Sequence, residues 1–378
     1  TNFKIFMKRF VKLFASCVVV KGVHRGFIYD LQRPLSSCAI PLDLCDVLDK
    51  HHNKSIEDIK NHYRHKYDET IEEYFQFLLS ENLAYCFEKQ ELVRFPPINM
   101  DWISPSLVTN AIIYYSNVFK TSFTQILIQL SQLKCNAVQI CFEDASTMED
   151  IRNISALFDG LRIMSVEFFI NWHSAIIFTD IAEIIASQPR IRRCWIGNYS
   201  GVSLNIDERM IILNNRMCFT ANCGTVNTKY FAINLPFFTE SQHHNTCLNR
   251  KVCIDAEGNI KNCPAMAKSF GNIKDTTLEE AINKPGFKDL WYICKDQIDV
   301  CKDCEFRYMC TDCRCFIKDP GNIYSQPAKC TYNPYICLWE GQDGYVPVEE
   351  CGTYSRETGF VPDKMKIAEL NKRIWGEN

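Results

Sequence analysis

Residues 1–95 alternate apolar runs of strand character with stretches of helical period. Two β-branched and aromatic runs, at 10–20 and 24–31, flank Lys21-Gly22-Val23 and predict a β-hairpin. The run at 38–40 adds a third extended piece, and 83–87 is compatible with a returning strand. Helical spacing predicts helices at 41–51, 55–63 and 70–82, the last two opening with capping-box patterns at Ser55 and Thr70. Three strands followed by three helices predict a winged-helix-like (β3α3) module.

Residues 100–240 alternate strand and helix along their whole length. Strand-like runs at 107–116, 136–142, 162–171 and 191–197 are separated by helical patterns at 121–133, 147–158 and 174–187. Strands that recur with helices between them predict parallel βα units and an α/β fold class. Because a complete eight-unit barrel needs about 250 residues, the segment predicts a partial (β/α) barrel. Residues 241–340 then form a cysteine-rich module, and 341–378 a C-terminal tail.

The amino-acid composition indicates which binding partners are not expected and in which cellular compartment the protein is expected. The 378-residue chain has a net charge of −3, which gives no electrostatic reason to expect nucleic acid or membrane as a partner. Its 21 cysteines are an odd number, and in a large mixed protein they indicate reduced, metal-binding thiols of the cytoplasm. Arg9 precedes the apolar run, and this pattern is also compatible with a secretory signal peptide. Lys12, however, interrupts that run. No stretch approaches the ~20 apolar residues of a membrane span.

The cysteine-rich module has chelate spacing with almost no histidine. Cys301-x2-Cys304 lets two sulfurs turn toward one metal centre, and Gly258 is placed for a tight turn between two further cysteines. The module contains at least eight cysteines, which is enough for two sites with four thiolate ligands each for soft cations. Iron–sulfur clusters and zinc are both compatible with this donor set.

This module resembles the SPASM domain, the auxiliary-cluster domain of many radical SAM peptide maturases. The resemblance rests on Cys247, on Asp255-x2-Gly258-x3-Asn262-Cys263-Pro264, on Gly271-Asn-Ile273 and on the late cysteine run. It implies two [4Fe–4S] clusters, cluster one on Cys247, Cys253, Cys263 and Cys313 and cluster two on Cys301, Cys304, Cys310 and Cys330. The family leaves three residues before the last cysteine of the late run, where this chain leaves two or four. Cys315 is therefore an alternative ligand to Cys313.

The barrel resembles radical SAM proteins in architecture but departs from them at the cofactor site. The loop after the first strand, 116–121, reads Ser-Asn-Val-Phe-Lys-Thr and holds none of the family's three cysteines. Of the family's Gly-Gly-Glu element only Glu143 remains. The resemblance thus implies a barrel without the S-adenosylmethionine cluster, and we expect neither that cofactor nor radical chemistry.

The N-terminal module resembles a RiPP recognition element of the PqqD-like type, through Gly26-Phe-Ile-Tyr-Asp30, Ile40-Pro-Leu42 and the helix around Tyr74. In that family the leader of a precursor peptide adds as a strand and packs on the third helix. The resemblance implies a peptide groove formed by Ser37, Cys38, Ala39, Ile40, Tyr74, Phe77, Leu78 and Glu81. The same residues are also compatible with the plain core of a winged helix.

The order of the three modules resembles the grasp-with-SPASM proteins of graspetide clusters. That resemblance implies a RiPP maturation protein that binds a precursor peptide, carries two [4Fe–4S] clusters and assists an ATP-grasp ligase. Two alternatives remain, an iron–sulfur redox enzyme that modifies the peptide and a structural zinc-binding interaction protein. No catalytic residue follows from the sequence.

Overall fold

The N-terminal region combines two small antiparallel sheets with three helices. The structure, a computed structural model, describes residues 9–88, 91, 96–205, 208–217 and 223–376. The strands of this region are β1 (Phe10–Leu13), β2 (Cys17–Lys21), β3 (Gly26–Asp30), β4 (Cys38–Ile40) and β5 (Ala84–Phe87), and its helices are α1 (Leu42–Lys50), α2 (Ile56–His62) and α3 (Asp68–Ser80). β2, β3 and β4 form one sheet in that order, and β1 pairs with β5. The predicted hairpin is confirmed as β2–β3.

Two local expectations differ from the structure. The run at 10–20 is two strands, because the chain turns after β1 and Cys17 N–H bonds Phe14 O at 2.8 Å. The helix expected to begin at Thr70 begins at Asp68 and has no side-chain cap, so that capping box is wrong. The preceding turn, with positive φ at Arg64 and His65, sets where this helix begins. At α2 the Ser55 side chain does accept from Asp58 N–H, as the sequence predicts.

The central region is an open, mostly parallel sheet with helices between its strands. Its strands are β6 (Asn110–Tyr115), β7 (Ala137–Phe142), β8 (Ser165–Asn171), β9 (Ile191–Gly197), β10 (Leu204–Asn205) and β11 (Met210–Ile212), and its helices are α4 (Phe123–Gln132), α5 (Met148–Ala156), α6 (Phe178–Ser187) and α7 (Leu235–Ser241). β6 to β9 are parallel neighbours, as the alternating pattern predicts. Their apolar residues form the largest core cluster with the helices.

The cysteine-rich region continues this sheet. β12 (Lys251–Ile254) lies parallel to β6, and β13 (Ile260–Lys261) pairs with it, so the eight-stranded order is β10-β11-β9-β8-β7-β6-β12-β13. Beyond α8 (Leu278–Asn283) the chain runs mainly in turns, with short hairpins β14 (Tyr332–Asn333) and β15 (Leu338–Trp339), then β16 (Gly352–Ser355) and β17 (Gly359–Pro362). The last helix is α9 (Lys364–Trp375). Over the described ranges, no helix is long and apolar enough to cross a membrane.

Candidate metal centres

One group of cysteines, here called site two, lies in the turn-rich part of the C-terminal region. Its four members line a single small cavity of about 30 Å³ with aromatic and aliphatic side chains around it: Cys301, Cys304, Cys310 and Cys330. The lining of this cavity thus contains all four residues that the resemblance implies as ligands of cluster two.

The chelate loop of site two is held in an unusual backbone conformation. A short 3₁₀ turn at Cys301–Asp303 opens it, and Val300 just before has a φ of +66°. A β-branched residue rarely adopts this left-handed conformation, and such strain clusters at functional sites. Cys304 N–H bonds Cys301 O at 3.0 Å, which closes the loop and directs both side chains toward the cavity.

A buried lysine accompanies the sulfurs of site two. Lys295 is 4% exposed, and its Nζ lies 3.7 Å from Sγ of Cys301 and 3.7 Å from Sγ of Cys310. The carboxylate of Asp312 is 3.8 Å away but already accepts from Arg314 at 2.6 Å. Burial alone would lower the pKa of Lys295, yet the negative charges of the two thiolates and of Asp312 raise it overall. A buried ammonium needs anionic partners, and these sulfurs are anionic when they bind metal.

Burial also acts on the thiols of site two themselves. Burial raises the pKa of Cys301 to about 11, and burial likewise raises the pKa of Cys310 and of Cys330. Metal binding must therefore displace protons from these thiols. Cys301, Cys304, Cys310 and Cys330 line one cavity, with the Lys295 ammonium beside two of them, and thiolates are the donors that iron–sulfur clusters use.

A second group of cysteines, here called site one, surrounds Lys251 at the start of β12. Lys251 Nζ lies 3.4 Å from Cys247 Sγ, and the charges of Cys247, Cys263 and Cys223 raise the pKa of this lysine against the opposing effect of burial. The β12–β13 register pairs Cys253 with Lys261, and Cys263 follows two residues after Lys261, beyond the end of β13. The turn between these strands has Gly258 at a φ of +85°, as expected from the sequence.

The late cysteines Cys313 and Cys315 both reach site one. Burial raises the pKa of each thiol, with further contributions from the charge of Cys247. Cys315 Sγ donates to Ala265 O at 3.0 Å, whereas a Cβ placed on Gly224 would lie 3.2 Å from Cys313 Sγ. Both thiols are thus close enough to Cys247 to be placed at site one, and both also have backbone hydrogen-bond partners.

Sequence reasoning missed Cys223, which also lies at site one. Burial is the main cause that raises the pKa of Cys223, and the charges of Cys247 and Cys313 raise it further. Lys329 Nζ donates a hydrogen bond to the carbonyl of Cys223 at 2.8 Å. Cys253, by contrast, packs with Cys141 and Ile112, and its pKa is raised by burial and by the charge of Cys263. Cys223 has no motif spacing, so the sequence held no signal for it. Among the residues that the structure describes, no three His, Cys, Asp or Glu side chains are close enough to hold one metal ion.

Next to site one, a cavity of about 690 Å³ opens at the carboxyl ends of the parallel strands. α/β folds commonly place ligands there. Its wall carries Glu143, whose pKa is raised by burial and by the charges of Glu257 and Asp144. Arg216 pairs with Asp144 at 2.6 Å across its mouth. Along the 116–121 loop, Ser116 Oγ donates to Ala256 O at 2.6 Å, which joins this loop to the turn after β12.

The predicted peptide groove divides into buried and accessible parts. β4 is an edge strand of its sheet and pairs only with β3 among the described strands. Ile40 and Leu78 are core residues of the module, whereas Ser37, Cys38, Tyr74 and Phe77 are half-buried and Ala39 and Glu81 are exposed. Tyr74 donates to Asp43 at 2.6 Å, and the charge of Glu81 adds to burial in raising the pKa of Cys38. The predicted peptide-binding residues thus combine an edge strand with half-buried and exposed side chains of α3 and the residue after it.

Comparison with known proteins identifies one part of the chain. Residues 246–305 match SPASM, an iron–sulfur cluster-binding domain. No curated protein matches the chain. The crystal structure of Streptococcus suis SuiB covers 80% of this chain and 96% of that chain at 12% identity and a TM-score of 0.30. SuiB bound to S-adenosylmethionine gives the same coverages at 11% identity and a TM-score of 0.31. Scores this low carry no inference about this chain.

Proposed function

We propose that this protein takes part in the maturation of a ribosomally synthesised peptide. It binds a precursor peptide through its N-terminal module, carries two [4Fe–4S] clusters at sites one and two, and assists an ATP-grasp ligase. The observation that carries the proposal is a pair of cysteine sites, each with its own lysine, beginning in a stretch that matches an iron–sulfur cluster-binding domain.

The lysines support clusters as the occupants of both sites. A [4Fe–4S] cluster with four thiolate ligands carries net negative charge, and hydrogen bonds to its sulfurs are part of how proteins tune it. Lys251 contacts a sulfur of site one, and Lys295 contacts two sulfurs of site two. Without anionic sulfur, the buried ammonium of Lys295 would have Asp312, 3.8 Å away and already paired with Arg314, as its anionic partner.

The open edge of β4 supports the peptide-binding role. An extended peptide can add to such an edge through main-chain hydrogen bonds, while side-chain pockets supply selectivity. Phe77 and Tyr74 on α3 offer half-buried aromatic surface beside that edge. The graspetide context and the ATP-grasp partner rest on the resemblance in module order alone.

The cavity beside site one favours a second candidate, an iron–sulfur redox enzyme that modifies the peptide. Its 690 Å³ volume would admit a side chain of a bound peptide next to Cys141 and Glu143. Four-thiolate coordination would leave no iron open to substrate, whereas a site with three cysteine ligands would leave one. The two candidates therefore differ in whether an iron position is open at site one.

Metal analysis tests the cluster part of the proposal. We expect about eight irons and eight sulfides per chain in anaerobically purified protein, with brown charge-transfer absorbance. We also expect the reduced electron paramagnetic spectrum to be unchanged by S-adenosylmethionine. Colourless protein with zinc would refute clusters, and about twelve irons would reveal a further, catalytic cluster.

Peptide titration tests the recognition part. Synthetic peptides encoded by short reading frames beside the gene would be labelled and followed by fluorescence anisotropy. We expect Phe77→Ala to weaken binding about tenfold, because it removes half-buried aromatic surface of the groove. Leu79→Ala, an exposed neighbour on the same helix, is the matched control. Equal affinities for the two variants would contradict the groove.

A further inference from the structure

The N-terminal module is attached directly to the chelate loop of site two. The turn between β2 and β3 lies against residues 303–307, which include Cys304 and continue from the chelate loop. Val23 N–H bonds Asp303 O at 2.8 Å, and Arg307 Nη1 donates both to Lys21 O at 2.9 Å and to Cys304 O at 2.9 Å. One guanidinium nitrogen thus links the hairpin backbone to the backbone of a predicted ligand.

An ion pair between Arg25 and a buried carboxylate extends this contact. Arg25 Nε donates to Glu305 Oε1 at 2.6 Å, and Glu305 is completely buried. Tyr332 and Tyr29 also donate to Glu305, to its carboxylate and its carbonyl respectively. Removing one partner of such a pair leaves a buried charge uncompensated. The position of the hairpin and the shape of the 301–310 loop therefore depend on each other.

The hairpin turn is shaped for close approach to this loop. A Cβ placed on Gly22 would lie 2.8 Å from Glu305 N and 2.8 Å from Arg25 O, so a larger residue would push the two backbones apart. Phe27 packs edge-on against Phe306 with ring centroids 5.3 Å apart. Backbone, charge and aromatic contacts all converge on residues 303–307.

The loop itself has little regular structure to hold its shape. It contains one 3₁₀ turn and begins at the left-handed Val300. Cysteine-rich loops of this kind obtain their folding free energy from the bound metal. A contact surface built on such a loop is complete only when the loop is ordered.

We infer that metal loading of site two controls the docking of the N-terminal module. Loading orders the 301–310 loop, and the ordered loop holds the β2–β3 hairpin through Asp303, Glu305 and Arg307. By thermodynamic linkage the docked hairpin in turn strengthens metal retention at site two. This inference rests on the proposed cluster at site two but not on peptide binding.

Hydrogen exchange on the full-length, anaerobically purified protein tests the first direction. We expect Cys304→Ser to lose the iron of site two and to speed amide exchange across residues 18–31 at least tenfold. Cys247→Ser, which acts on site one, is the matched control and should leave 18–31 protected. A Cys304→Ser protein that has lost this iron but exchanges like wild type at 18–31 would overturn the inference.

The rate of iron release tests whether hairpin docking strengthens metal retention at site two, and it requires no cysteine substitution. It therefore also tests the coupling if the Cys304→Ser protein fails to fold. We expect Arg25→Met to release the iron of site two to a chelator at least tenfold faster than wild type, with site one unchanged. Arg33→Met is the control, because Arg33 pairs with Asp30 inside the same module. Equal release rates for both variants would overturn the coupling. Wild-type protein without iron would refute the proposed clusters and the inference together, whereas failed peptide binding alone would leave the coupling intact.

Discussion

Replacing Lys295 with methionine should lower the reduction potential of a cluster at site two. Methionine keeps most of the side-chain volume in this buried position but removes the charge. The ammonium lies 3.7 Å from two of the four sulfurs. It therefore favours the more negative, reduced state of whatever these sulfurs bind.

The distances set the size of the effect. Two unit charges 4 Å apart interact by about 4 kcal/mol at an effective dielectric constant of 20. An electron added to a cluster is spread over several atoms, so we expect a fraction of this, about 1–2 kcal/mol. For a one-electron couple 59 mV corresponds to a tenfold change, or about 1.4 kcal/mol. The midpoint potential of Lys295→Met should thus fall by ~40–80 mV.

A redox titration followed by electron paramagnetic resonance measures this shift, with iron content checked in each sample. Lys302→Met is the matched control, since Lys302 lies inside the chelate motif but is 42% exposed and pairs with Asp299. Its potential should change little because solvent screens exposed charges. Lys295→Arg should retain most of the wild-type potential. A Lys295→Met protein with full iron content and an unchanged or higher potential would refute the electrostatic reasoning.

Two further predictions concern site one and the central sheet. Cys223→Ala should lower the iron content by up to one cluster, about four irons, because Cys223 lies close to Cys247 in site one. Cys141→Ala is the control, because Cys141 packs with Cys253 on the central sheet. Equal iron contents in the two variants would exclude Cys223 as a ligand. Asp150 is 3% exposed, and although burial opposes it, hydrogen bonds from Lys120, Thr147 and Tyr115 lower its pKa from 3.8 to about 2. This carboxylate therefore contributes about 2 kcal/mol above pH 4, which is lost as the pH falls toward 2. Asp150→Asn should lower the urea midpoint of the metal-free protein at pH 7, and the deficit should shrink at pH 3; a deficit that does not change with pH would contradict the assignment.

Much of the central fold could be predicted because its signals are local. The strands at β6 to β9 and the helices between them follow from apolar period alone, and β9 matches its predicted bounds. Element ends were less accurate where tertiary contacts decide them. At α3 the helix begins two residues before the capping-box pattern, because the turn at Arg64 and His65 sets its start.

The cysteine sites likewise contain some residues that local spacing predicts and one that only the tertiary structure identifies. The spacing of Cys301 and Cys304 is a local property, so their common cavity was predictable. Cys223 is separated from its neighbours by long stretches of chain, and nothing around it marks it as part of site one. Its role depends on where the chain returns after the central sheet.

The sequence by itself determined the α/β class, the βα order and the donor chemistry of the C-terminal region. The hydrophobic periodicity, the turn residues and the cysteine spacing are all properties of short segments. They can therefore be recognised without knowledge of the fold. Only the tertiary structure decided that β12 joins the central sheet, that Lys251 and Lys295 lie against sulfur, and that Arg25 reaches Glu305. These contacts join residues from elements that pack together only in the folded chain. Burial then gives them their strength, because charges removed from water interact far more strongly than the same charges at the surface.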